Sequence, residues 1–242
     1  VNQHPFMAIA HRGASSYAPE NTFAAYDLAL EMGAQHIELD VHLTTDGQVV
    51  VIHDDLLDRT TDGTGPVAAC SLAEIKALDA GAWFGPALAG ERIPTLSEVL
   101  ERYGRRAHLH TEIKGQTPGL VPATLGLVRQ QDLTEHVTIT SFHLSALEET
   151  RRLADELPTG WLVSAIDEAI VADTLRLGLT QLCPRADIVT AEMVNDLHGR
   201  GLVVRAWGVG DERLMRAALE AGVDGMTVNF PDVLLASLAD RL

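Results

Sequence analysis

His11 and His53 each end a short apolar run, and between them Ile37-Glu38-Leu39-Asp40-Val41 carries two carboxylates two residues apart. Side chains alternate along a strand, so this spacing puts Glu38 and Asp40 on one face. Two acids on one face repel unless positive charge sits between them, a need that a divalent cation held by carboxylate oxygens meets. Histidines beside such a cation suit proton transfer near neutral pH. At Thr111-Glu112-Ile113-Lys114 the same spacing pairs a third carboxylate for the cation with an ammonium for an anion. In His11-Arg12-Gly13, glycine permits a sharp turn and arginine offers a planar fork for phosphate or carboxylate. Singly, each feature has an ordinary reading: a loop histidine, a surface ion pair worth about 0 to 1 kcal/mol, or, at Pro19-Glu20-Asn21-Thr22, a helix cap. Their convergence on one rim is what would make a site. Oxygen-only ligands favour Mg²⁺ or Ca²⁺ over zinc.

The elements that must position these residues follow from the alternation of short strand-forming runs with longer helical patterns. Strands are predicted at 7–10, 36–41, 107–112, 137–141, 159–163, 179–182, 202–207 and 224–228,. Helical patterns between them include 21–32, 95–103, 121–131, 145–157, 191–200 and 211–221, several stopped by glycines such as Gly33, Gly104, Gly201 and Gly222,. Eight strand–helix units imply a closed (β/α)₈ TIM barrel of the α/β class, with a doubly wound open sheet as the alternative. The segment from about 44 to 93 breaks the rhythm. Its Asp46-Gly47 turn flanked by strand formers predicts a hairpin whose return strand, 48–53, runs antiparallel and brings His53 to the barrel mouth,. Residues 1–242 are thus read as one barrel domain with an inserted subregion at about 44–93.

With 242 residues and 46% hydrophobic content, such a domain needs no disulfide or structural metal. It should bury roughly 70 to 75% of its extended surface. Cys70 and Cys183 lack metal-ligand spacing and read as small buried or half-buried residues in a reducing cytoplasm,. The balance of 18 basic against 34 acidic side chains, a formal charge of −16, excludes nucleic acid and anionic membrane surfaces as partners. An anionic substrate therefore needs local positive charge. No run approaches a membrane span and the first five residues lack a signal-peptide layout; the missing initiator Met leaves an upstream segment open, and association into a homo-oligomer is open too.

His11-Arg12-Gly13, Pro19-Glu20-Asn21-Thr22, Glu38-Leu39-Asp40-Val41, Asp46-Gly47, Val51-Ile52-His53-Asp54, Ile93-Pro94-Thr95-Leu96, Glu112-Ile113-Lys114, Ser141-Phe142 and Gly222-Val223-Asp224-Gly225 resemble, in order and nearly end to end, the glycerophosphodiester phosphodiesterases. The resemblance implies a (β/α)₈ barrel with a small insertion after the second strand. It also implies cation-dependent hydrolysis of glycerophosphodiesters to glycerol 3-phosphate and an alcohol. Carried over residue by residue, it implies that Glu38, Asp40 and Glu112 hold the metal, His11 and His53 form the acid–base pair, and Arg12 and Lys114 bind phosphate. Trp207 would be the apolar wall against glycerol. Two departures are visible: Trp207-Gly208-Val209-Gly210 where the family usually reads Trp-Thr-Val-Asn, and Val228-Asn229 where it reads Thr-Asp. Both fall on the last strand ends, so the glycerol side is expected to differ and the catalytic centre to be untouched. Of the other histidines, His42 is read as turned away from Asp40, His36 and His108 as remote from the mouth, and His110 as lining the interior. His143 is a supporting candidate; His4, His136 and His198 read as surface. A phospholipase-like barrel acting on a lipid headgroup and a non-catalytic phosphate-binding barrel are the alternatives.

Overall fold

The structure, a computed structural model, describes residues 5–240. Its strands are β1 (Met7–His11), β2 (His36–Leu43), β3 (Val49–Val51), β4 (His108–Ile113), β5 (Val137–Ser141), β6 (Thr159–Val163), β7 (Gln181–Pro184), β8 (Val203–Val209) and β9 (Gly225–Val228). All except β3 pair in parallel, and β1 bonds to both β2 and β9, closing an eight-stranded barrel. The helices are α1 (Phe23–Glu31), α2 (Leu72–Ala77), α3 (Leu96–Tyr103), α4 (Leu120–Gln130), α5 (Leu144–Leu153), α6 (Glu168–Arg176), α7 (Ala191–Gly199), α8 (Glu212–Ala221) and α9 (Pro231–Ala239). Among the described residues, no helix is long and apolar enough to cross a membrane.

Strand alternation sorts the side chains into two environments. Ile37, Leu39 and Val41 of β2, with Leu109 and Ile113 of β4, pack outward into an apolar layer containing Tyr26, Val99 and Leu100. Leu182, Val204 and Met226 do the same on the opposite side of the barrel. Alternate positions turn inward, and there the chain places Glu38, Asp40, His110, Glu112, Thr140, Arg205 and Thr227, all buried. Barrel interiors are commonly filled by branched apolar side chains, so this polar filling signals a site.

The hairpin after β2 forms as expected: β3 runs antiparallel, with Val41 opposite Val51. Its return is anchored on its other edge, where the Val51 N–H donates to the Pro94 carbonyl at 2.9 Å and Val50 bridges Thr95. The insertion encloses its own apolar cluster of Val50, Ile52, Leu57, Val67, Ile75 and Ile93. This double anchorage fixes where His53 emerges.

Several boundaries shift. The first helix starts at Phe23 rather than 21 because the Thr22 side chain caps it, accepting from the Ala25 N–H,. β7 starts two residues late because the Leu179 N–H is committed to Thr174 at the end of α6. α5 ends at Leu153 because Ala154 leaves helical geometry, with φ −152°. β8 runs on to Val209 through a register shift between Ala206 and Val209.

Candidate functional site

At the C-terminal end of the barrel, a cavity of about 240 Å³ is lined by His11, Arg12, Glu38, His53, Glu112, Lys114 and Trp207, among others. Asp40, which completes the acidic group, is fully buried. Glu38, Asp40 and Glu112 each offer an oxygen within 4.8 Å of the others. Glu38 Oε1 and Asp40 Oδ1 are buried without a hydrogen-bond partner. Buried anionic oxygens in that state call for a counter-charge, and three carboxylates with free lone pairs fit a hard divalent cation.

Titration follows from the crowding. Burial, then the neighbouring Asp40 and Glu112, pushes the Glu38 carboxyl well above the ordinary range. Burial and Asp40 raise Glu112 to about 7, against the pull of Lys114. Burial also opposes ionisation of Asp40, but Arg12, His53, Lys114 and the Asn21 amide outweigh it and hold that carboxyl low.

Arg12 organises the acids. Its N–H donates to Glu38 Oε2 at 3.0 Å, Nη1 donates to Glu20 at 2.8 Å, and Nε lies 3.1 Å from Asp40 Oδ2. To reach all three it adopts φ +55°, and Asn21, whose N–H donates to the Arg12 carbonyl at 3.0 Å, adopts φ +57°. Left-handed backbone is uncommon outside glycine, and here it coincides with the site. Gly13, at φ +87°, is forced: a Cβ there would come within 2.7 Å of Ala25 atoms. Asn21, an alternative cap in the sequence, instead donates to Asp40 Oδ2 at 2.9 Å and accepts from Tyr26.

The two histidines are held in parallel ways. His53 Nδ1 meets Asp54 Oδ1 at 2.5 Å, and Asp54 is gripped by Arg59, which also binds Glu20. His11 Nδ1 meets Asn229 Oδ1 at 2.6 Å. In each imidazole this leaves Nε2 for chemistry, and His11 Nε2 lies 3.8 Å from Glu38 Oε2,. Burial, then Arg12, lowers the His11 pKa; burial likewise lowers that of His53 against the opposing Asp40. Lys114 Nζ donates to Glu112 Oε1 at 3.0 Å and sits 5.3 Å from the Phe142 ring centroid, whose edge-to-face partner is Trp207 at 4.8 Å.

All eight residues singled out in the sequence therefore meet at one end of the barrel. One expectation is overturned: Asn229, a departure expected to leave the catalytic centre untouched, touches His11 directly, because closure of β9 against β1 brings the two strand ends side by side. Gly208 lines the cavity at φ +69°, a conformation β-branched residues avoid. His42, only two residues from Asp40, supports the site from behind, with Nε2 3.1 Å from the His53 carbonyl oxygen. His198 is half-buried and bonded to Asp224 at 2.8 Å rather than a free surface residue, and His136 is half-buried too. His143 lines an adjoining cavity with His53 and Lys114, while His36, His108 and His110 cluster with ring centroids 5.1 to 5.5 Å apart. His4 lies outside the described residues. Asp54, Arg59 and Asn229 carried no local spacing signal. Arg205 did, as a charge inside an otherwise apolar strand, but was not singled out.

A sequence model of the glycerophosphoryl diester phosphodiesterase family matches residues 11–233. The chain is similar to a glycerophosphodiester phosphodiesterase of Caldanaerobacter subterraneus subsp. tengcongensis, at 40% identity over 233 residues covering 95% of this chain and 96% of that one. It is also similar to one from Bacillus subtilis, at 35% identity over 247 residues covering 94% and 84%. Among solved structures, it is similar to an Oleispira antarctica phosphodiesterase in complex with the product sn-glycerol-3-phosphate, with a TM-score of 0.88, 35% identity and 96% coverage of each chain. The inward-facing acids, the paired imidazoles and these matches agree: the chain belongs to the glycerophosphoryl diester phosphodiesterase family and is an enzyme of that class.

Proposed function

We propose that this chain, as a single barrel domain with its insertion at about 44–93, hydrolyses glycerophosphodiesters to glycerol 3-phosphate and an alcohol in a cation-dependent reaction. The observation that carries the reading is the buried trio Glu38, Asp40 and Glu112, with orphaned carboxylate oxygens, in contact with the cavity that both imidazoles enter. These three residues would hold the cation, with Mg²⁺ or Ca²⁺ favoured by an all-oxygen donor set. When bound, it supplies Lewis-acid stabilisation of charge on the phosphoryl oxygens. Arg12 and Lys114 bind the phosphate, which reconciles an anionic substrate with a chain of charge −16,. Trp207 and Phe142 present apolar surface to the glyceryl carbons.

His11 and His53 share the proton transfers through Nε2: one takes the proton of the attacking hydroxyl, the other gives a proton to the leaving alkoxide. Their partners differ, a neutral amide for His11 and a carboxylate for His53, and both fix the ring orientation. The nucleophile is the glyceryl group's own hydroxyl: its oxygen bonds to phosphorus as the alcohol departs, giving a cyclic phosphate that water then opens. Trapping products in ¹⁸O-water tests this step; label in phosphate with no cyclic species at any time would overturn it. Parallel assays on a soluble glycerophosphodiester and on phospholipid vesicles test the substrate class. Turnover of the soluble diester alone is expected, and preference for vesicles would favour the lipid-headgroup alternative.

A further inference from the structure

The largest fully buried side chain is Arg205, 1% exposed. It lies on the inner face of β8, two residues before Trp207, and lines the same cavity as His11, Glu38 and Lys114. Of its guanidinium donors, Nη1 donates to Thr227 Oγ1 at 2.9 Å. Nε and Nη2 are buried and have no oxygen or nitrogen partner among the described residues; the Cys183 thiol beside the guanidinium is only a weak acceptor. These two nitrogens form one edge of the guanidinium plane, the side-on fork that gives two parallel N–H bonds to a pair of adjacent oxygens. Such donors are costly to leave unpaired, so the fork is complete only with an acceptor brought into the cavity.

The surroundings define that acceptor. Thr140 also lines the cavity, and its Oγ1 is buried and unpartnered. Above this polar floor stand Phe142, Leu162 and Trp207. An apolar wall over a floor of donors suits a short polyol, with carbon on one side and adjacent hydroxyls on the other. Phosphate is assigned to Arg12 and Lys114, which leaves the hydroxyl-bearing part of the substrate for the floor.

We propose that Arg205 is a specificity-determining residue whose Nε/Nη2 edge donates to the vicinal hydroxyls of the substrate's glyceryl group, with Thr140 beside it. The proposal rests on the phosphodiesterase reading and deepens it. The test is calorimetric binding of sn-glycerol 3-phosphate and of n-propyl phosphate, which lacks both hydroxyls, to the cation-loaded protein. The wild type should prefer the glyceryl ester by at least about tenfold, and Arg205→Met should bring the two affinities within about twofold by weakening the glyceryl ester alone. Arg205→Lys, which keeps a donor, should retain part of the preference. Equal wild-type affinities would overturn the proposal without any variant and leave the phosphodiesterase reading standing. So would a preference surviving in Arg205→Met, or parallel weakening of both esters, which would mark Arg205 as a counter-charge for Glu38. Binding of neither ester by the wild type would overturn the phosphodiesterase reading and this inference together.

Discussion

Glu112 and Glu38 make cation binding a proton-releasing event of calculable size. Burial and Asp40 move the Glu112 carboxyl from its ordinary 4.5 to about 7, a bias of roughly 3 kcal/mol toward the protonated form. At pH 6, without cation, about nine tenths of Glu112 carries its proton, and Glu38, pushed well above the ordinary carboxyl range by burial and its acidic neighbours, adds to that. A cation coordinated by these oxygens requires both groups ionised. Calorimetric titration of Mg²⁺ or Ca²⁺ in buffers of different ionisation enthalpy should therefore count between about one and two protons released at pH 6, with the Glu112 share falling to about a tenth by pH 8. Apparent affinity should climb at least roughly tenfold from pH 5 to pH 6. The stability sign is opposite to that of a salt-bridged acid. A raised carboxyl contributes fully below its unfolded value near 4.5 and loses that contribution as pH rises to about 7,. Buried histidines shift the other way, their lowered pKa values adding stability as pH rises toward 6.5,, so the carboxylate contribution is read as a difference: the gain in urea resistance on adding cation should be larger at pH 7.5 than at pH 5.5. Affinity independent of pH, with no proton release at pH 6, would refute the reasoning.

Four substitutions extend the test. His11→Ala and His53→Ala should each lower turnover about 10² to 10⁴-fold while leaving the unfolding midpoint nearly unchanged; near-normal rates in either variant would remove that imidazole from the proton-transfer pair. Arg12→Ala strips a buried ion-pair partner from Asp40 and should cost about 3 kcal/mol in denaturant unfolding of the cation-free protein, whereas a loss under about 1 kcal/mol would show the acids are not organised by Arg12. Gly13→Ala forces a Cβ against Ala25 at φ +87° and should destabilise by more than about 3 kcal/mol; a stable, fully active variant would contradict the packing described.

How much of this was legible in the sequence depends on how local each interaction is. Alternation in Glu38-Leu39-Asp40 and in Glu112-Ile113-Lys114 is a property of three adjacent residues, and it placed the acids on the inner face. The Asp46-Gly47 turn similarly announced the hairpin that returns His53. The supports of the site are not local. His11 and Asn229 are 218 residues apart in sequence and meet only because the first and last strands pair, so a departure at Asn229 looked remote until the barrel closed. Arg59 reaches from the insertion to Glu20, 39 residues away, through loop geometry that no periodicity encodes. Asn21 illustrates a competition: as a short polar residue before a helix it resembles a cap, yet Thr22 takes that role and frees Asn21 for Asp40. Helix ends drifted where a side chain or a committed backbone donor, rather than the apolar pattern, set the stop.

The central claim is cation-dependent cleavage of a glyceryl phosphodiester in this cavity. Its most direct test is the rate of glycerol 3-phosphate release from a soluble glycerophosphodiester, measured after exhaustive chelation and again after adding back Mg²⁺ or Ca²⁺. Release should vanish on chelation and return with the cation; release that survives chelation, or none at saturating cation, would contradict cation-dependent cleavage.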